Sequence, residues 1–103
     1  MPLIAEELRA RLPPLYSQES EDNPMIYAKL HLPGTGWAWY VMEGETEGEE
    51  YLLFGFVVGL ESEFGYFSLS ELEGVHGPLG AVVERDLTFT EGRLTDVVPA
   101  PDL

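Results

Sequence analysis

The chain has 103 residues, 19 acidic against 5 basic side chains, a formal net charge of −14, an apolar share of 45% and no cysteine. That length and apolar share describe one folded domain with a modest core and argue against disorder. The charge argues against direct binding of nucleic acid or an anionic membrane, which need clustered lysine and arginine, and the missing cysteines exclude disulfides, thiolate catalysis and thiolate metal sites.

Leu3 to Leu12 reads as a short amphipathic helix. Leu3 or Ile4, Leu8 and Leu12 recur on one side, with acids early and bases late, as the helix dipole favours. Pro13-Pro14 stops it. Leu15 and Tyr16 are expected to dock the next turn on the core, and Ser17 to Pro24 is a polar, acidic loop. Met25 to Leu32 alternates, with Ile26, Ala28, Leu30 and Leu32 on one face, the pattern of a half-buried strand. Pro33 to Gly36 is a hairpin-sized turn into a returning strand, Trp37 to Met42. Glu43 to Glu50 (EGETEGEE) reads as an acidic connection.

Tyr51 to Val58 is the most apolar run. Both of its alternating sets are apolar, so the strand is expected at the centre of the sheet, covered on both faces, with Gly55 marking a bulge or a close neighbour. Gly59 ends it, Glu61 and Glu63 lie in a polar connection, and Gly65 marks a second turn. Ser70-Glu71-Leu72-Glu73 is a capping pattern for a short helix, with Ser68 as the alternative cap. Gly74, Gly77 and Pro78 end it. Leu79 to Val83 is apolar but short, Leu87 to Thr90 reads as a fourth strand, and Thr95 to Val98 as a single helical turn. The expectation is one domain over residues 1–98, a loose tail over 99–103, and an α+β fold. A three- to four-stranded, mainly antiparallel meander sheet is covered by the N-terminal helix and the short second helix.

Few residues carry chemistry. Glu43, Glu45, Glu47 and Glu49 fall at alternate positions, so an extended chain would set same-side carboxylates roughly 6.5–7 Å apart. That is near the phosphate spacing along one nucleic-acid strand, and such a row, with Glu50, could face a basic protein groove. The alternative is a solvated, self-repelling loop made flexible by Gly44 and Gly48. His31 and His76 are the only histidines. No third ligand lies at metal spacing, and the acidic stretches lack the calcium-loop pattern, so no metal and no cofactor are expected. Ser68 and Ser70 sit in no nucleophile elbow, and the glycines form no nucleotide-binding turn. Trp37, Trp39, Tyr40 and the other rings exceed what a small sheet hides, so an exposed aromatic patch is expected.

The segments Ile4 to Tyr16 (IAEELRARLPPLY), Ile26 to Lys29, Trp37 to Tyr40, Leu53 to Leu60, Glu63 to Leu72, Gly77 to Gly80 and Glu84 to Leu87 together resemble one family of small bacterial proteins. It is a domain of unknown function, number twenty-nine fifty-eight. The resemblance covers nearly the whole chain. It implies one compact domain and a setting on plasmids, phages and integrating elements, and it implies no catalytic residue.

The reading is therefore a cytoplasmic, acidic protein-interaction domain, a mobile-element accessory that binds or inhibits a basic, nucleic-acid-binding host protein. Its partner-binding residues would be Glu43, Glu45, Glu47, Glu49, Glu50, Trp37, Trp39 and Tyr40. Two alternatives stand beside it: a small enzyme or ligand-binding domain with a cleft formed by His76, Glu71 and Glu84, and a self-associating scaffold. No run nears the roughly 18 apolar residues of a membrane span, and nothing near the start has the form of an export signal.

Overall fold

The computed structural model describes residues 2–103. Its frame is an antiparallel sheet of five strands: β2 (Ala28–His31), β3 (Ala38–Glu47), β4 (Glu50–Val58), β5 (Ser62–Ser68) and β6 (Glu84–Arg85), in the spatial order β5-β4-β3-β2-β6. A second, two-stranded sheet pairs β1 (Met25–Ile26) with β7 (Gly92–Arg93). Three short helices complete the chain: α1 (Glu6–Arg11), α2 (Leu69–Glu73) and α3 (Leu94–Val97). Ala100–Asp102 adds a 3-10 turn in the segment expected to be a loose tail.

Alternation divides the sheet into two apolar faces. Leu30, Trp39, Val41, Tyr51 and Leu53 pack on one face with Leu8 of α1, Leu72 of α2 and Val83. Ala38, Tyr40, Met42, Phe56 and Val58 pack on the other with Ile26, Leu94 and Val98. β4 thus lies between β3 and β5 with cover on both sides, as its unbroken apolar run requires. Helix α1 is held mainly by Leu8, which is fully buried. Such burial contributes about 1.5–3 kcal/mol. The exposed pairs of Glu7 with Arg11 and Arg85, at 3.5 and 2.9 Å, belong to a class that contributes roughly 0–1 kcal/mol.

Four sequence expectations change. The sheet has five strands, not three or four. The stretch from Glu61 to Phe67, expected as a connection with a turn at Gly65, is mostly β5: Gly65 pairs directly with Gly55 inside the ladder. The acidic connection Glu43–Glu50 is the end of the β3–β4 hairpin, closed tightly with Gly48 at φ +64° and paired out to Glu47 and Glu50. The strand expected at Leu87–Thr90 is absent among the described residues; Leu87 is exposed, and the pairing falls instead on Glu84–Arg85 and Gly92–Arg93.

The helix start is settled between the two serines. Ser68 caps α2, its hydroxyl accepting the Glu71 amide at 3.1 Å. Ser70 instead donates its hydroxyl to Glu50 Oε2 at 2.6 Å, which ties α2 to the start of β4.

Candidate functional site

A single extra residue in β3 sets up the site. Val41 pairs with Gly55 and Glu43 with Phe54, so Met42 is a β-bulge. The bulge explains Gly55. A Cβ at that position would run into the carbonyl oxygen of Tyr40, so only glycine lets β4 pass the distorted strand. Beyond the bulge, Glu43 lies opposite Phe54, on the face that carries Phe54 and Phe56.

There Glu43 is 2% exposed, and its carboxylate is fully engaged. Oε1 accepts the backbone amide of Tyr16 and Oε2 that of Gln18, both at 2.8 Å. Glu45, two positions on, accepts the Leu15 amide at 3.3 Å. The Gln18 side chain completes the frame. Its oxygen accepts the Met25 amide at 2.7 Å, and its nitrogen donates to the carbonyls of Met25 and of bulged Met42 at 2.9 and 3.1 Å. The acidic loop after α1 is thereby fastened to the sheet, with Tyr16 in the left-handed region at φ +73°.

That backbone turn leaves the Tyr16 ring outside, 61% exposed, while Leu15 is buried beneath it. Tyr16 stands 6.2 Å from Tyr66 of β5, Tyr66 stands 4.7 Å from Phe54, and Phe54 lies 6.2 Å from Phe64 with their planes within 10°. Phe64 and Tyr66 are 47% and 50% exposed. These rings form one wall of an open cavity of about 290 Å³. The loop supplies the other wall, with Gln18, Glu19, Glu21 and Pro24, while Met42 and Glu43 line it from β3. The Tyr66 phenol is held above its ordinary value of 10.0, first by the Tyr16 hydroxyl, then by desolvation and by the negative potential of Tyr16, Glu43 and Glu19.

A smaller cavity of about 220 Å³ lies at the other face, lined by Arg9, Thr46, Glu49, Glu50, Tyr51 and Ser70 among others. It is polar, and four of its groups already pair with one another: Arg9 lies 4.3 Å over the Tyr51 ring, and Glu50 holds Ser70. The Ser70 hydroxyl and amide, and then the Tyr51 amide, hold the Glu50 carboxyl below its ordinary 4.5.

The residues singled out from the sequence are dispersed. Trp39 and Tyr40 are buried in opposite faces of the sheet and present nothing to a partner. Trp37 is exposed and stacks on Trp39 at 5.9 Å, apart from the aromatic cavity. The expected row of carboxylates does not form a phosphate-like surface. Glu43 is turned inward by the bulge, Glu45 is tied to Leu15, and Glu50 is tied to Ser70, which leaves Glu47 and Glu49 at the hairpin tip. His76 is exposed and bridges through its backbone to Val82; among the described residues its side chain has no hydrogen bond or ion pair. Glu71 and Glu84 are exposed too, and neither cavity includes any of the three. The described residues hold no group of three or more histidine or carboxylate side chains arranged for a metal ion. No helix among them is long and apolar enough to cross a membrane.

Tyr16, Phe64, Tyr66, Glu19 and Glu21 escaped the sequence reading as a set. Phe64 and Tyr66 sit at alternate positions, and the same alternation that places Phe54 and Phe56 on one face would have placed them together had Gly65 been read as strand. No curated protein and no solved structure matches the chain. A family model described as "Protein of unknown function (DUF2958)" matches residues 3–98, and with nearly its whole length so covered, the chain belongs to that family.

Proposed function

We propose that this domain is a non-catalytic, acidic interaction module that binds a basic protein through the face carrying the aromatic cavity. One observation carries this reading: exposed rings of Tyr16, Phe64 and Tyr66 converge with Glu19 and Glu21 on one open cavity of a chain with net charge −14. Large exposed rings beside carboxylates are a costly surface for a monomer to leave uncovered, and they suit a cationic partner by both stacking and charge. The finer form of the reading is an accessory of a mobile genetic element in the bacterial cytoplasm, occupying a basic groove of a nucleic-acid-binding host protein. It is supported by the charge and by the setting that the family resemblance implies. A reaction centred on His76 has no such support, because neither of the two cavities described is lined by His76, Glu71 or Glu84.

Retention of host proteins on the immobilised domain at low and high salt tests the reading, with a Phe64→Ala/Tyr66→Ala double variant beside the native chain. Basic proteins are expected to bind the native chain at low salt, to release at high salt, and to be lost from the variant. Recovery of no basic partner at low salt, or the same partners on both chains, would overturn it.

A further inference from the structure

We infer that the cavity between β5 and the acidic loop is a receptor for one arginine side chain of a partner protein; the inference rests on the interaction reading above and names what that face recognises. Size sets the first limit. At about 290 Å³ the cavity lies at the small end of the roughly 300–1,000 Å³ of ligand pockets, and it has room for one long side chain.

Shape selects among cations. The strand wall presents the rings of Phe54, Phe64 and Tyr66, with Phe54 and Phe64 parallel to within 10° at 6.2 Å and Tyr66 tilted 54° to Phe54. The loop wall presents the carboxylates of Glu19 and Glu21. A planar guanidinium stacks on such rings while its in-plane N–H fork reaches the carboxylates, and it sheds water more readily than an ammonium. A quaternary ammonium is better served by rings that enclose it on several sides than by one aromatic wall facing an acidic one. The protein uses the same contact internally, with the Arg9 guanidinium 4.3 Å over the Tyr51 ring.

The donor must come from another protein species. Four of the five basic side chains are engaged away from the cavity, Arg9 and Lys29 over Tyr51 and Tyr40 and Arg11 and Arg85 in ion pairs, and the fifth, Arg93, also donates to the Asn23 carbonyl of the loop at 3.3 Å. A second copy would also bring another net charge of −14 to the face. Arg93 reaches Glu21 at 3.5 Å, but both side chains are about half exposed, so that pair is weak and Glu21 can turn to an incoming guanidinium.

The test titrates the full chain at low ionic strength with N-acetylarginine amide and, separately, with the matching lysine and citrulline compounds, following ring resonances by NMR. The expected result is saturating shifts at Tyr16, Phe64 and Tyr66 for arginine, and binding of neutral, isosteric citrulline weaker by about tenfold or more. Binding of the lysine compound falls between them, and Glu19→Gln/Glu21→Gln weakens arginine while leaving citrulline unchanged. Citrulline or lysine matching arginine would overturn the inference. If arginine moves no ring resonance while basic proteins are still captured by this face, the arginine assignment falls and the broader reading stands. If neither occurs, both fall.

Discussion

The carboxylate of Glu43 and the backbone amide of Gln18 meet at 2.8 Å although 25 positions separate them in sequence. Through this contact and its twin to Tyr16, a buried acid does the work that a strand neighbour would do, satisfying two amides of an irregular loop. Hydrogen bonds to a charged acceptor contribute about 1.5–3 kcal/mol each, and an amide left unpaired in the interior costs about 1–3 kcal/mol. Glu43→Gln turns one acceptor into a donor facing an amide, so it should lower unfolding free energy by about 2 kcal/mol, and Glu43→Leu by about 3 kcal/mol or more. Chemical denaturation measures both. A loss under about 0.5 kcal/mol, the range of ordinary surface substitutions, would mean the loop holds without Glu43.

Gly55 and Gly65 face each other across β4 and β5, yet they should respond differently. A Cβ on Gly55 meets the Tyr40 carbonyl beside the bulge, and the backbone there has no room to give. A Cβ on Gly65 meets nothing within 4 Å. Gly55→Ala should therefore cost about 3 kcal/mol, at the upper end of overpacking penalties, while Gly65→Ala should change stability by less than about 0.5 kcal/mol. Equal effects in thermal unfolding would show that the bulge does not impose the glycine.

How much of this was legible in the sequence follows from what each residue type encodes. The central strand was, because only a strand covered on both sides hides Leu52, Leu53, Phe54, Phe56, Val57 and Val58 together. The Gly55 crowding was, because a close approach leaves a local mark, and the second helix was to within its two serines; the start of α1 was not, because Ala5 gives it no side-chain cap. β5 was not, because a glycine inside a strand and a glycine at a turn look alike until the partner strand is known, and here that partner residue is another glycine. The hairpin end was misread because charge suggests a loop, whereas two polar strand ends projecting past the core pair readily around a tight turn. The cavity was the least legible. It depends on a bulge at Met42, whose one trace in the sequence is Gly55 on the neighbouring strand, and on a left-handed Tyr16, which leaves none.

The contact between Glu50 and Ser70 has a pH signature. The Glu50 carboxyl is held below its ordinary 4.5, chiefly by the Ser70 hydroxyl, so the folded state prefers the ionised form. A depressed acid contributes stability that is present above the unfolded value and is lost as pH falls through the lower folded value. The native chain should therefore lose stability on acidification below 4.5, and Ser70→Ala should remove part of that dependence while α2 stays capped by Ser68. Denaturant midpoints across the acid range measure it. An unchanged slope in Ser70→Ala would show that the contact is not maintained in solution.

Tyr66 reports on the cavity from the alkaline side. Its phenol is raised above 10.0 mainly by the Tyr16 hydroxyl, with Glu43 and Glu19 adding negative potential. The protonated phenol is thus favoured in the folded state. The associated stability is fully present below 10.0 and is lost as pH rises through the elevated folded value. Tyr16→Phe removes the first cause, so the phenolate absorbance assigned to Tyr66 should appear at lower pH in the variant than in the native chain. Glu19→Gln should move it the same way by a smaller amount. If an arginine side chain enters the cavity, its positive charge favours the phenolate, and saturating N-acetylarginine amide should likewise lower the Tyr66 titration while the citrulline compound leaves it in place. An arginine-independent Tyr66 titration would mean that the guanidinium, if it binds at all, does not reach the rings.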